Sequence, residues 1–184
     1  MNDDPSFETL ISEGLVASGE NRTRAALDLF ARASEALPSS GIPHFLIGSE
    51  HAACGNMEAA EAALANAVLL SPDFALARYQ LGLLQFSTAR AAVALVTWEP
   101  LFAAPPGESL GHFVRGFAAL AQEAFDESLQ HFEQGLAGED VNPAVAGDIR
   151  KVMHAVRALL DPQQAAEDNN TGHVLLAAYG RGLH

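Results

Sequence analysis

Four glycines, Gly14, Gly48, Gly82 and Gly116, stand 34 residues apart. A fixed period of roughly 20–50 residues marks stacked supersecondary units, and this one is the period of a helix–turn–helix repeat. Such units stack into a surface for holding another molecule. The pattern therefore predicts an all-α fold and a binding role, without naming a partner.

Other positions keep step with the glycines. Small residues, Ala26, Ala60, Ala94 and Ser128, follow each glycine by 12, and large apolar ones, Phe30, Leu64, Trp98 and Phe132, by 16. Ala33, Ala67, Leu101 and Gly135 follow by 19, and Pro38, Pro72, Pro106 and then Asp140 by 24. Two short helices per unit explain this. A glycine on the first helix and an alanine on the second let two backbones approach. The large residue fills the gap toward the next unit, because interiors are densely packed, and the proline closes the unit because it cannot continue a helix.

This pattern resembles the tetratricopeptide repeat, whose motif runs W-x2-L-G-x2-Y…A-x3-F…P. The matching residues are Gly14, Ala26, Phe30 and Pro38; Ile47, Gly48, Ala60, Leu64 and Pro72; Leu81, Gly82, Ala94, Trp98 and Pro106; then Gly116, Ser128 and Phe132. The motif's Trp position holds Leu10, His44, Arg78 and His112, and its Tyr position Ala17, His51, Gln85 and Ala119, as in a divergent branch. The resemblance implies a right-handed superhelix of four units, 7–40, 41–74, 75–108 and 109–142, after an N-terminal tail, 1–6.

Helix pairs are expected at 7–19 with 23–36, 43–54 with 57–70, 74–87 with 88–102, and 109–121 with 125–138. Asn56 is the expected cap of one second helix, and Pro100 should kink or end another. A capping helix at 143–160 carries Val145, Ile149, Val152, Val156 and Leu159 on one stripe, with Arg150, Lys151 and Arg157 off it. Residues 161–172 read as a polar linker, followed by the apolar stretch Val174–Tyr179. That tail is expected to cover apolar surface in its own chain or to make a homodimer by exchange.

At 184 residues the usual expectation is one domain. Ten basic residues against 23 acidic ones give a net charge of −13, and Lys151 is the one lysine. A phosphate backbone needs clustered cations, so neither nucleic acid nor an anionic membrane is an expected partner. The first residues lack a basic and an apolar leader region, no 18-residue apolar run occurs, and Cys54 has no cysteine to pair with. A cytoplasmic location follows, and the preference for Arg and Ala fits a GC-rich bacterial source.

The first helices carry more apolar surface than a partner helix needs. Phe113, Phe117 and Leu120 form a stripe, matched by Ile11 and Leu15, by Phe45 with Ser49 and Ala52, and by Tyr79, Leu83 and Phe86. The resemblance implies that these positions line a concave groove holding a partner's peptide. Read so, the groove is apolar and aromatic toward its C-terminal half. It lacks the cations that grip a terminal carboxylate, since Arg78 and Arg115 belong to different units. The competing reading makes the same residues core.

Chemistry finds little support. His51 and Cys54 form an i, i+3 pair with no second pair nearby in sequence, short of what zinc requires. His44 and His112 hold equivalent repeat positions, which suggests packing, and Cys54 reads as a small buried filler. No cofactor is expected. The function expected is a non-catalytic adaptor binding an apolar peptide or helix of a partner protein. A chaperone for a secreted protein and the regulatory subunit of an enzyme are the alternatives.

Overall fold

The computed structural model of the chain describes residues 5–105 and 107–160. Every helix or strand among them is an α-helix: α1 (Phe7–Gly19), α2 (Thr23–Ala36), α3 (Ile42–Ala53), α4 (Met57–Leu70), α5 (Ala75–Ser87), α6 (Ala91–Phe102), α7 (Ser109–Leu120), α8 (Phe125–Leu136) and α9 (Pro143–Leu160). Residues 1–4, Pro106, and the expected linker and tail at 161–184 lie outside the described residues. The described residues gather into two compact units that divide between Leu81 and Gly82.

The odd-numbered helices from α1 to α7 all end in the same turn. Asn21, Gly55, Ala89 and Glu123, again 34 apart, take left-handed backbone with φ of 57°, 76°, 61° and 57°. Their N–H groups donate to the carbonyls of Ser18, Ala52, Phe86 and Leu120, three residues back. The next N–H groups donate five back, to Ala17, His51, Gln85 and Ala119, all at 2.8–3.1 Å. This is the Schellman closure of a helix C-terminus. The closing residue, Arg22, Asn56, Arg90 or Ala124, also opens the next helix, its carbonyl accepting from Ala26, Ala60, Ala94 or Ser128. Backbone groups make both connections. Asn56 accordingly stands at the N-cap position without the side-chain cap bond expected of it.

Packing explains the periodic positions. A Cβ on Gly14, Gly48, Gly82 or Gly116 would lie under 3.0 Å from the side chain of Phe30, Leu64, Trp98 or Phe132. The large residue thus occupies the space its own unit's glycine leaves empty, rather than a gap toward the next unit. Phe30, Leu64, Trp98 and Phe132 are all buried, as are Ala26, Ala60, Ala94 and Ser128. In the second compact unit Gly135 repeats the device, because a Cβ there would collide with the Phe113 ring.

Pro100 does not end its helix, which continues to Phe102. Proline cannot donate to the carbonyl four residues back. Here that carbonyl belongs to Val96, and both residues are exposed, so water is at hand. Side chains close other helix starts. Ser71 Oγ accepts from Gly41 N at 3.0 Å, ahead of α3. At the equivalent position two repeats on, Ser109 N donates to both Asp140 carboxylate oxygens at 3.1 and 3.2 Å. Ser109 Oγ adds a third bond of 2.6 Å. Asn142 Oδ1 caps α9, accepting from Ala144 N and Val145 N. On α9 the buried stripe is Val145, Ala146, Ile149, Met153, Ala155 and Val156, with Val152 half-buried and Leu159 exposed. Arg157 pairs with Glu133 of α8 at 2.8 Å.

Candidate interaction surfaces

The nine expected groove residues separate into two sets. Tyr79, Phe86, Phe113, Phe117 and Leu120 are buried. Ile11, Phe45 and Leu83 are half-buried, and Leu15 alone is exposed, at 50%. In the second compact unit the Phe117 ring lies 5.1 Å from Phe86, 5.5 Å from Trp98 and 5.1 Å from Phe132. Phe113 fills the hollow over Gly135 on α8. An apolar, aromatic groove toward the C-terminal half is therefore corrected: those rings are core.

The difference has a simple cause. A side chain that turns away from its own partner helix need not face solvent, because a first helix also packs beside the first helix of the next repeat. Phe86 of α5 against Phe117 of α7 is that contact. In the first compact unit, Ile11 of α1 packs with Leu46 and Ile47 of α3 around Ala17, Ala26 and Phe30. The Ser18 hydroxyl donates to the Glu50 carboxylate along the same seam. Phe45 turns its ring toward Phe74, 5.0 Å between centroids.

The most exposed large apolar side chains of the first helices lie on α1, ahead of Ile42 at the start of α3, which is 44% exposed. Leu15 and Val16 are 50% and 55% exposed, and the exposed acids Glu8 and Glu13 share their helix. Glu20, just past the helix end, forms an ion pair with Arg22 at 2.6 Å. Of the two arginines near the expected groove, Arg78 donates to the Pro72 carbonyl at 3.0 Å and Arg115 to the Phe102 carbonyl at 2.6 Å. Arg115 thus ties α7 to the end of α6.

Polar chemistry concentrates where α7 meets α8. The His112 and His131 rings lie 5.8 Å apart, and among the described residues neither buried Nδ1 has a hydrogen-bond partner. Burial holds His112 below the usual imidazole range, and the Arg115 guanidinium and His131 push it the same way. Glu127 approaches His131 Nε2 at 3.9 Å. The equivalence of His112 with His44 suggests packing; the pairing with His131 is not visible in the spacing. Cys54 is a correction: it is exposed at the end of α3, with Thr23 Oγ1 3.9 Å from its sulfur, and is no buried filler. The His51 Nδ1 is buried and has no partner among the described residues. No three His, Cys, Asp or Glu side chains among these residues gather as a metal site would require. No described helix is long and apolar enough to cross a membrane. A hollow beside Arg22, Arg24 and Asp28 is shallow and open.

No family model and no curated protein matches the chain. Solved structures do. A thermophilic TPR protein of Thermus thermophilus is 18% identical, with a TM-score of 0.67 over 97% of this chain and 90% of its own. The fold is of the tetratricopeptide-repeat type. MamA is 24% identical, with a TM-score of 0.59 over 73% of this chain and 78% of its own. The Cut9–Hcn1 structure aligns at 18% identity and a TM-score of 0.70, but this chain spans only 33% of that one.

Proposed function

We propose that the chain is a non-catalytic protein-interaction scaffold that receives an apolar segment of a partner protein on the exposed side of α1. The supporting observation is the pair Leu15 and Val16, each at least half exposed on the first helix of a repeat fold. A β-branched valine is a poor choice for a solvated helix face on propensity grounds, so its presence calls for a contact. Of the nine groove positions, Leu15, with Ile11 and Phe45 as half-buried flanks, carries the reading. The relatives of the same fold support a scaffold role in general and say nothing of the partner.

Affinity capture from the native host, comparing the natural chain with a Leu15→Ser, Val16→Ser variant, tests this. At least one protein should be lost from the variant's captured set while its circular dichroism is unchanged. Identical captured sets would overturn the assignment of α1.

A further inference from the structure

The four repeats provide an internal control for their own outer surfaces. Positions 24, 28 and 32 of α2 are Arg, Asp and Arg, and their counterparts in α8, 34 residues per repeat further on, are Asp126, Gln130 and Gln134. The matching positions of α4 are Glu58, Ala62 and Asn66. In α6 they become Ala92, Val96 and Pro100, joined on the same face by Val93, whose counterparts are Ala25, Ala59 and Glu127. Val96 is 76% exposed and Val93 45%. Nothing in the fold asks for this. The buried side of α6, Ala94, Trp98 and Leu101, is complete without it, and two exposed valines lower helix propensity relative to the Ala, Gln and Glu that stand at most of the equivalent positions.

We infer that the outward face of α6 is a docking surface of its own, separate from α1, for an amphipathic segment of a partner protein whose apolar stripe is flanked by Lys or Arg. The apolar component follows from Ala92, Val93, Val96 and Pro100. The basic flanks follow from charge. The chain carries −13 overall, and the exposed acids of the same compact unit include Glu99 on α6 itself, Glu108, Glu123 and Asp126. Among the described residues of that unit the exposed cations, Arg90 at the start of α6, Arg150, Lys151 and Arg157, are fewer, and Lys151 is held by Asp148 at 2.9 Å and Arg157 by Glu133. Such a field draws a cationic segment in and orients it, while burial at the valines sets how long it stays.

Three synthetic amphipathic peptides with one apolar stripe and flanks of Lys, Gln or Glu test the assignment by fluorescence anisotropy against the full chain. The Lys peptide should bind at least about tenfold tighter than the Gln peptide, with affinity falling as salt rises. Val93→Gln with Val96→Gln should weaken it by a similar factor and leave helicity unchanged, whereas Leu15→Ser with Val16→Ser should leave it intact. Equal binding of the three peptides, or no binding, overturns the proposal. So does a dimer that Val96→Glu splits, which gives the face to a second copy. Tighter peptide binding on deletion of residues 161–184 gives it to the chain's own C-terminus and overturns it equally.

Discussion

Exchanging residue types between two equivalent turns should change stability in opposite directions. Ala89 and Gly55 both close a first helix from left-handed backbone, at φ of 61° and 76°. A side chain in that conformation costs about 1–2 kcal/mol, because Cβ crowds the following carbonyl. Glycine avoids this but leaves the unfolded chain freer, a loss of about 0.4–1 kcal/mol. Ala89→Gly should therefore stabilise by about 0.5–1 kcal/mol, and Gly55→Ala should destabilise by a similar amount. Packing does not cloud the comparison at Gly55, since a Cβ there would meet nothing within 4 Å. Urea denaturation followed by circular dichroism reads the shifts as changes of midpoint at constant slope. In thermal melts, about 1 kcal/mol corresponds to about 2–4 °C for a chain of this size. Asn21→Gly should move less than Ala89→Gly, since asparagine tolerates this backbone better than alanine does. If Ala89→Gly lowered the midpoint, or Gly55→Ala raised it, the turn would not be carrying conformational strain and the argument would fail.

Trp98→Ala should cost about 3–5 kcal/mol, as truncation of a buried aromatic does, because the ring is fully buried and fills the hollow over Gly82. Near-native stability in a urea melt would refute that placement. Phe113→Ser should likewise unfold the second compact unit rather than merely weaken partner capture, which loss of helicity by circular dichroism would register. His112 has a lowered folded value, so the unfolded state takes up protons first on acidification. Stability should be full above the ordinary imidazole value of 6.5 and fall below it until the lowered folded value is passed. His112→Gln should flatten that part of the pH–stability curve. Asp140 is lowered chiefly by the Ser109 hydroxyl. Its contribution should be full above the ordinary value of 3.8 and vanish as pH drops through the lower folded one. Asp140→Ala should remove about 0.5–2 kcal/mol, as loss of a helix cap does, measured at neutral pH.

What the sequence disclosed, and what it hid, follows from where each signal resides. The pairing of Gly14, Gly48, Gly82 and Gly116 with a large residue sixteen on is a side-chain requirement, so it leaves a mark in residue type. The left-handed turn is a backbone requirement. Gly55 and Asn21 are types that favour it, but Ala89 and Glu123 are not, and the period at that position is visible only in φ. The first-helix stripes are legible as apolar but not as buried. Deciding between core and groove needs the position of the next first helix, which no local spacing supplies. Phe86 and Phe117 belong to the core for that reason, while Leu15 stays partly in water. Cys54 misleads in a similar way, because a small residue suggests a packed one, yet it stands exposed at a helix end. The apolar face of α6 is present in the letters. It becomes conspicuous only when Val96 is set beside Asp28 and Gln130 on a surface known to be outer.

The shared turn also bears on how such a chain can change over time. Because main-chain atoms close one helix and open the next, the residues at Arg22, Asn56, Arg90 and Ala124 can be basic, amide or plain methyl without altering the geometry. Length is another matter. One added residue would rotate the second helix by about 100° at roughly 3.6 residues per turn. That would carry Phe30, Leu64, Trp98 or Phe132 away from its glycine. Substitutions are thus tolerated at the turn while insertions are not, and copies of one ancestral unit can drift apart in composition yet still count to the same number.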